Sequence, residues 1–154
     1  MDRLCLFGVG KELRSLPMLL TKECDYAIRM VRALKDGDKL KAHEICERES
    51  IPEAFAYKIL KKLEKAGIVK VVRGLRGGCV LLKNPGELYL YDIILAAEPD
   101  FAVTRCVYEE CIRNTPEEPC AVHNEMLRIQ KVLEKELKQH TLAEILTKKQ
   151  ETAV

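Results

Sequence analysis

Two short β-branched runs, Ile68-Val-Lys-Val-Val72 and Cys79-Val-Leu-Leu82, flank Arg73-Gly-Leu-Arg-Gly-Gly78. Such runs on either side of a glycine cluster form a hairpin, because glycine supplies the positive φ that a tight turn requires. The hairpin directly follows a strongly specified helix. Ser50-Ile-Pro-Glu53 has the spacing of a capping box with proline in the first turn, and Gly67 stands where a left-handed residue ends a helix. Between them Phe55, Ile59, Leu60 and Leu63 share one face, leaving Ala54, Tyr57, Lys58, Lys61, Lys62 and Lys65 on the other. A basic amphipathic helix joined at once to a glycine-tipped hairpin suits few folds.

Upstream, Thr21 is a good N-cap, Glu23 and Asp25 suit the positive end of a helix dipole, and Ala27, Ile28, Val31 and Leu34 recur at helical spacing. Lys35-Asp-Gly-Asp38 stops that helix, and a short second one is predicted over about 42 to 47 with Ile45 and Cys46 buried. Downstream, Asn84-Pro-Gly86 closes the hairpin, and Leu88 to Ala97 reads as a helix with Tyr89, Ile93, Ile94 and Ala97 inward. Val122, Met126, Ile129, Leu133 and Leu137 then form a narrow apolar seam on a long helix. The chain offers few apolar faces of that length to receive the seam, so a second copy is the simplest partner.

The fold these elements define is mainly α with a small β-hairpin wing: a winged helix-turn-helix followed by a long dimerisation helix. Three parts are expected. Residues 1–17 lack a sustained period and read as a poorly ordered extension, or else as an arm placing Arg3, Lys11 and Arg14 on DNA. Residues 18–84 form the reading domain, and residues 85–154 carry a cysteine loop and the long helix.

Charge separates the halves: residues 18–84 hold 15 Lys and Arg against 9 Asp and Glu, whereas residues 85–154 hold 8 against 13. A basic half suits a polyanion and an acidic half does not. On double-stranded DNA, Glu53, Ala54 and Tyr57 stand near the start of the third helix, where short or hydrogen-bonding side chains meet base edges. Lys58, Lys61, Lys62 and Lys65 are placed for phosphates, with Arg73 and Arg76 on the wing reaching the minor groove or its backbone. The bland alternative is a solvated lysine face beside a plain hairpin. Gly74-Leu-Arg-Gly-Gly78 lies between strands and lacks the Lys-Ser/Thr of a phosphate loop, and no triad or carboxylate pair is evident, so no enzyme is expected.

Seven cysteines are present, an odd number, with no export signal and no membrane-length apolar run, which suits free thiols in the cytoplasm. Cys5, Cys24, Cys46 and Cys79 are scattered, whereas Cys106, Cys111 and Cys120 crowd together with His123 in a ligand-like cluster. Three thiolates and an imidazole hold either zinc or an iron-sulfur cluster, and spacing does not choose between them. A metal-free thiol switch is a third reading, opposed by Glu109, Glu110, Glu117 and Glu118, which raise thiol pKa.

Leu20-Thr-Lys-Glu-Cys-Asp-Tyr-Ala27, Ser50-Ile-Pro-Glu53, Leu63-Glu-Lys-Ala-Gly-Ile-Val69, Val72-Arg-Gly-Leu-Arg-Gly-Gly78 and Thr141-Leu-Ala-Glu-Ile-Leu146 together resemble the winged-helix regulators of the IscR and NsrR family. The resemblance covers about residues 18 to 146. It implies a homodimeric transcriptional regulator, a repressor as the safer sub-class, on a palindromic operator, sensing redox, iron or nitric oxide state through an iron-sulfur cluster. It also matches Arg73 to a wing arginine of the minor groove, and Tyr57 and Lys58 to a base-reading Glu-Gln pair. Cys106, Cys111 and Cys120 match the cluster cysteines, with His123 or Asp25 as fourth ligand. The spacing Cys-x4-Cys-x8-Cys departs from the roughly even spacing of better-known members, leaving 2Fe-2S and 4Fe-4S both open. The alternative from another class is a zinc-stabilised protein-interaction module that does not bind DNA.

Overall fold

The computed structural model describes residues 19–147. The predicted extension 1–17, with its basic arm residues and Cys5, lies outside the described residues. Within them the order is α1 (Lys22–Ala33), α2 (Ala42–Glu49), α3 (Glu53–Lys65), β1 (Val69–Val72), β2 (Gly78–Leu81), α4 (Leu90–Ala97), α5 (Ala121–Leu137) and α6 (Leu142–Thr147), with single 3-10 turns at Pro85–Glu87 and Arg105–Val107. The expected architecture is borne out: mainly helical, with one antiparallel hairpin.

Thr21 caps α1 as predicted, its hydroxyl accepting the Cys24 N–H at 3.3 Å. Cys24, Ala27, Met30 and Val31 face the core. The third helix begins where expected, at Glu53, but Ser50 does not cap it. Ser50 instead takes the left-handed conformation at φ 53° and ends α2, with the Ile51 N–H donating to the Cys46 carbonyl at 2.9 Å. Burial of Ile51 fixes this turn. An apolar side chain withdrawn from water gives about 1.5 to 3 kcal/mol, more than the ~1 kcal/mol of an N-cap, so the buried isoleucine sets the geometry.

A second correction concerns the phase of α3. Ala56, Ile59, Leu60 and Leu63 form the buried stripe at i, i+3, i+4 and i+7. Phe55, expected in the core, is 36% exposed at its edge, with its ring 5.5 Å from that of Tyr26.

In the hairpin Val69 pairs with Leu81 and Val72 with Gly78. Leu40, on the segment before α2, exchanges both backbone hydrogen bonds with Cys79, at 2.7 and 3.1 Å. This extra rung fixes the wing to the body of the protein. Sequence reasoning did not foresee it, because a single residue leaves no period to read.

The core is continuous across residue 84. Leu88, Ile93, Ile94, Ala97, Phe101 and Leu142 belong to the same buried cluster as the residues of α1 to α3, and α4 lies against both α1 and α3. The junction of α5 and α6 is drawn back by the Leu142 N–H, which donates to Leu88 O at 2.7 Å, and by the Lys138 ammonium 3.9 Å from the Tyr91 ring centre. In α5 the buried residue is polar, Gln130. Leu133 and Leu137 rest against the core, whereas Val122 is 65% exposed and Val132 is also open. No described helix is long and apolar enough to cross a membrane.

Candidate nucleic-acid interface and cysteine segment

The α3 face carries Glu53, Ala54, Tyr57, Lys58, Lys61 and Lys65 at the surface. Lys62, predicted to point outward with them, is half-buried and turned inward. Its ammonium donates to Glu23 Oε2 at 2.5 Å and to the Ala97 carbonyl at 2.6 Å. Lys58 donates to Glu23 Oε1 at 2.5 Å, so one carboxylate of α1 gathers two lysines of α3. Hydrogen bonds from Lys58 and then Lys62 hold the Glu23 carboxyl below its ordinary range, against the opposing effect of burial.

Between α2, α3 and the hairpin runs an open groove of about 980 Å³, lined among others by Lys41, His43, Tyr57, Lys61, Arg73 and Leu75. The structure thus brings Tyr57, Lys61 and Arg73 to one surface. Arg76 stands exposed beside it on the hairpin turn. Lys41 and His43 escaped the sequence reading. They sit at the start of a short helix, and only packing of α2 beside the hairpin places them on the groove. Lys41 is at the α2 N-cap, where its backbone N–H donates to Glu44 Oε2 at 2.6 Å.

The cysteine segment is tied to α5 at its start. Before it, Gln130 accepts the Val103 N–H at 2.9 Å and donates to the Phe101 carbonyl at 3.3 Å, while the Tyr108 hydroxyl donates to the same carbonyl at 3.1 Å. Within it, the Cys120 N–H donates to Asn114 Oδ1 at 2.9 Å, and Cys120 occupies the N-cap position of α5 without a side-chain capping bond. Cys106, Cys111 and Cys120 are half-buried, and Cys106 Sγ lies 3.2 Å from Thr104 Oγ1. His123 Nδ1 is buried without a hydrogen-bond partner. Asp25, the other candidate ligand, is engaged by Arg29 within α1 at 2.8 Å.

The donors fit a soft metal or iron-sulfur centre in kind: three thiols and an orphaned imidazole nitrogen on one segment. Among the described residues, however, no three His, Cys, Asp or Glu side chains are grouped as they must be to hold one ion. A centre here therefore requires the segment to close around it. Cys24, Cys46 and Cys79 are buried in the core, and desolvation pushes each thiol above its ordinary pKa.

A helix-turn-helix whose third helix and wing share an open basic groove defines a DNA-binding protein of the winged-helix class. Comparison with known proteins makes this specific. Residues 20–148 match the Rrf2 family, described as iron-dependent transcriptional regulator, and the chain belongs to that family. It is 38% identical over 91 residues to the protein aau3 of Rhizobium meliloti (strain 1021), a match covering 58% of this chain and 59% of that one. With a Haemophilus influenzae protein named as an HTH-type transcriptional regulator it shares 31% identity over 135 residues, 86% of this chain and 89% of the other. Among solved structures, T. potens IscR superposes with a TM-score of 0.63 at 23% identity, over 82% of this chain and 85% of that one. CymR, the global cysteine regulator of B. subtilis, gives 0.64 at 22% identity, over 85% and 96%. The protein is a DNA-binding transcriptional regulator and not an enzyme.

Proposed function

We propose that this regulator is a cytoplasmic homodimeric repressor that reads a palindromic operator through α3 and the wing, and that the 106–123 segment receives its signal. The observation that carries the sensing role is that half-buried Cys106, Cys111 and Cys120 and an orphaned His123 Nδ1 fall on one stretch of chain, which is anchored to α5 through Gln130. Cys106, Cys111 and Cys120 would hold an iron-sulfur cluster, with His123 or Asp25 as fourth ligand. Such a cluster supplies a link between the thiolates that is made or lost with redox, iron or nitric oxide state.

The chain's own residues offer a route from that segment to the DNA. Closing residues 106 to 120 around any centre pulls on Phe101 and Val103, which Gln130 grips from α5. A few residues earlier, the Ala97 carbonyl accepts the Lys62 ammonium of α3. Cluster occupancy then biases the DNA-reading helix only if it favours one arrangement of these contacts over the other. The exposed part of the α5 seam is where the second copy docks, so that two α3 helices address half-sites about one DNA turn apart or a multiple of it.

A second reading uses the same thiols without metal, as an oxidisable switch. It is favoured by the packing of Cys106 Sγ on Thr104 Oγ1 and by the likeness to CymR, named as a global cysteine regulator. Anaerobic purification with iron, sulfide and zinc measured per chain separates the readings. Near-stoichiometric iron and sulfide support the cluster, and zinc alone makes the segment structural. Metal-free protein whose DNA affinity follows thiol oxidation favours the switch. Cys111→Ala is expected to abolish the signal response under either sensing reading; a variant that still responds overturns both.

A further inference from the structure

The crest of the hairpin presents a side chain that contributes almost nothing to the fold. Leu75 is 96% exposed. Its backbone is nonetheless braced. The Gly77 N–H donates to Gly74 O at 2.9 Å, which makes Leu75 and Arg76 the two central residues of the turn. Lys39 Nζ donates to the Arg76 carbonyl at 3.1 Å. The foot of the loop is packed too closely for side chains: a Cβ on Gly77 would lie 2.2 Å from Val72 O, and one on Gly78 2.8 Å from Lys39 Cγ.

An isolated exposed leucine is ordinary on a protein surface. Leu75 differs in its setting. It stands on a braced loop between exposed Arg73 and Arg76, and it lines the same groove as Tyr57, Lys61 and Arg73, so it belongs to the face that α3 turns toward DNA. Two guanidinium groups drawn to the phosphates bordering a minor groove aim the apolar side chain between them at the base-pair edges.

We propose that Leu75 is a minor-groove wedge that partly unstacks one base step and bends the duplex. Its partner is double-stranded DNA carrying a flexible pyrimidine–purine step, TA or CA/TG, beneath the wing, because those steps unstack most easily. Sequence preference then arises at a position that no side-chain hydrogen bond reads. The proposal rests on the DNA-binding reading of α3 and the wing.

The test uses the full chain and duplexes it selects from a random pool, with 2-aminopurine placed at successive steps. Binding by the wild type is expected to raise fluorescence several-fold at one pyrimidine–purine step. Leu75→Ala should abolish that rise and weaken binding about tenfold, as loss of one inserted side chain implies. Its Tm and the slope of log affinity against log salt should not change, whereas Arg73→Ala lowers that slope. Leu75→Phe should keep the fluorescence rise. A wild-type complex that forms with no bright step, or a Leu75→Ala complex as bright as the wild type, overturns the wedge while leaving DNA binding intact. Failure of the selection to enrich any duplex overturns both readings.

Discussion

The Lys62 ammonium lies 2.5 Å from Glu23 Oε2 and 2.6 Å from the carbonyl oxygen of Ala97, so one side chain ties α3 to α1 and to the C-terminal end of α4. A cation at the end of α4 is where the helix dipole favours it, and Lys62 there meets a carbonyl that precedes the cysteine segment. The residue thus stands between the helix proposed to read DNA and the proposed sensor.

Glu23→Gln removes the charge that gathers Lys58 and Lys62. Partly exposed ion pairs are individually modest, so a loss of about 1 kcal/mol is expected, read as a lower Tm at neutral pH. The sign with pH follows from the depressed carboxyl. Its stabilisation is fully present above the ordinary carboxylate range and is lost as pH falls through the lower folded value. The gap in Tm between wild type and variant should therefore close in acid. A gap that is unchanged there contradicts the ion-pair account.

Gln130→Leu keeps the size of the one buried polar residue of α5 but strands the Val103 N–H, which it now satisfies at 2.9 Å. An orphaned buried donor costs about 1 to 3 kcal/mol, and the part-buried Val103 N–H belongs at the low end of that range. The Phe101 carbonyl keeps its Tyr108 partner, so the damage should concentrate at Val103. Denaturant unfolding gives the total, and amide exchange gives the place: faster exchange spread evenly over the chain would argue against this local role.

Gly77→Ala forces a Cβ within 2.2 Å of the Val72 carbonyl, which the hairpin accommodates only by opening its turn. The clash falls at the crest of the hairpin, beyond buried Val69 and Cys79, so the expected fall in Tm is small, below about 1 kcal/mol equivalent. DNA affinity should drop more than about tenfold, since the wing arginine contacts are lost together. Wild-type affinity in this variant would remove the wing from the interface.

In a Cys5→Ser background, Ellman's reagent should find two populations among the six described cysteines. Half-buried Cys106, Cys111 and Cys120 should react in the native protein. Cys24, Cys46 and Cys79 are buried with their thiols pushed up by desolvation, and should react only on unfolding. Bound metal should protect the first group, and a chelator should restore its reactivity.

Much of this was legible in the chain because it is local. Thr21 caps α1, Gly67 follows α3 at φ 69°, and the glycine cluster turns the hairpin, each through chemistry contained within a few residues. The crowding of Cys106, Cys111, Cys120 and His123 was equally open to reading. What sequence periodicity could not reach were choices between competing partners. Ser50 had the spacing to cap α3, but burial of Ile51 made it the stop of α2 instead.

The amino-acid sequence by itself determined the order of helices and strands, the lysine-rich character of α3 and the position of the thiols along the chain, since propensity, turn chemistry and charge are carried by neighbouring residues. Only the tertiary structure decided that Lys62 turns inward to Glu23 and Ala97, that Leu40 adds a rung to the wing, and that Gln130 grips the start of the cysteine segment. Each of these bonds joins residues far apart in sequence. Its geometry exists only once the helices have packed, so no local pattern in the chain encodes it.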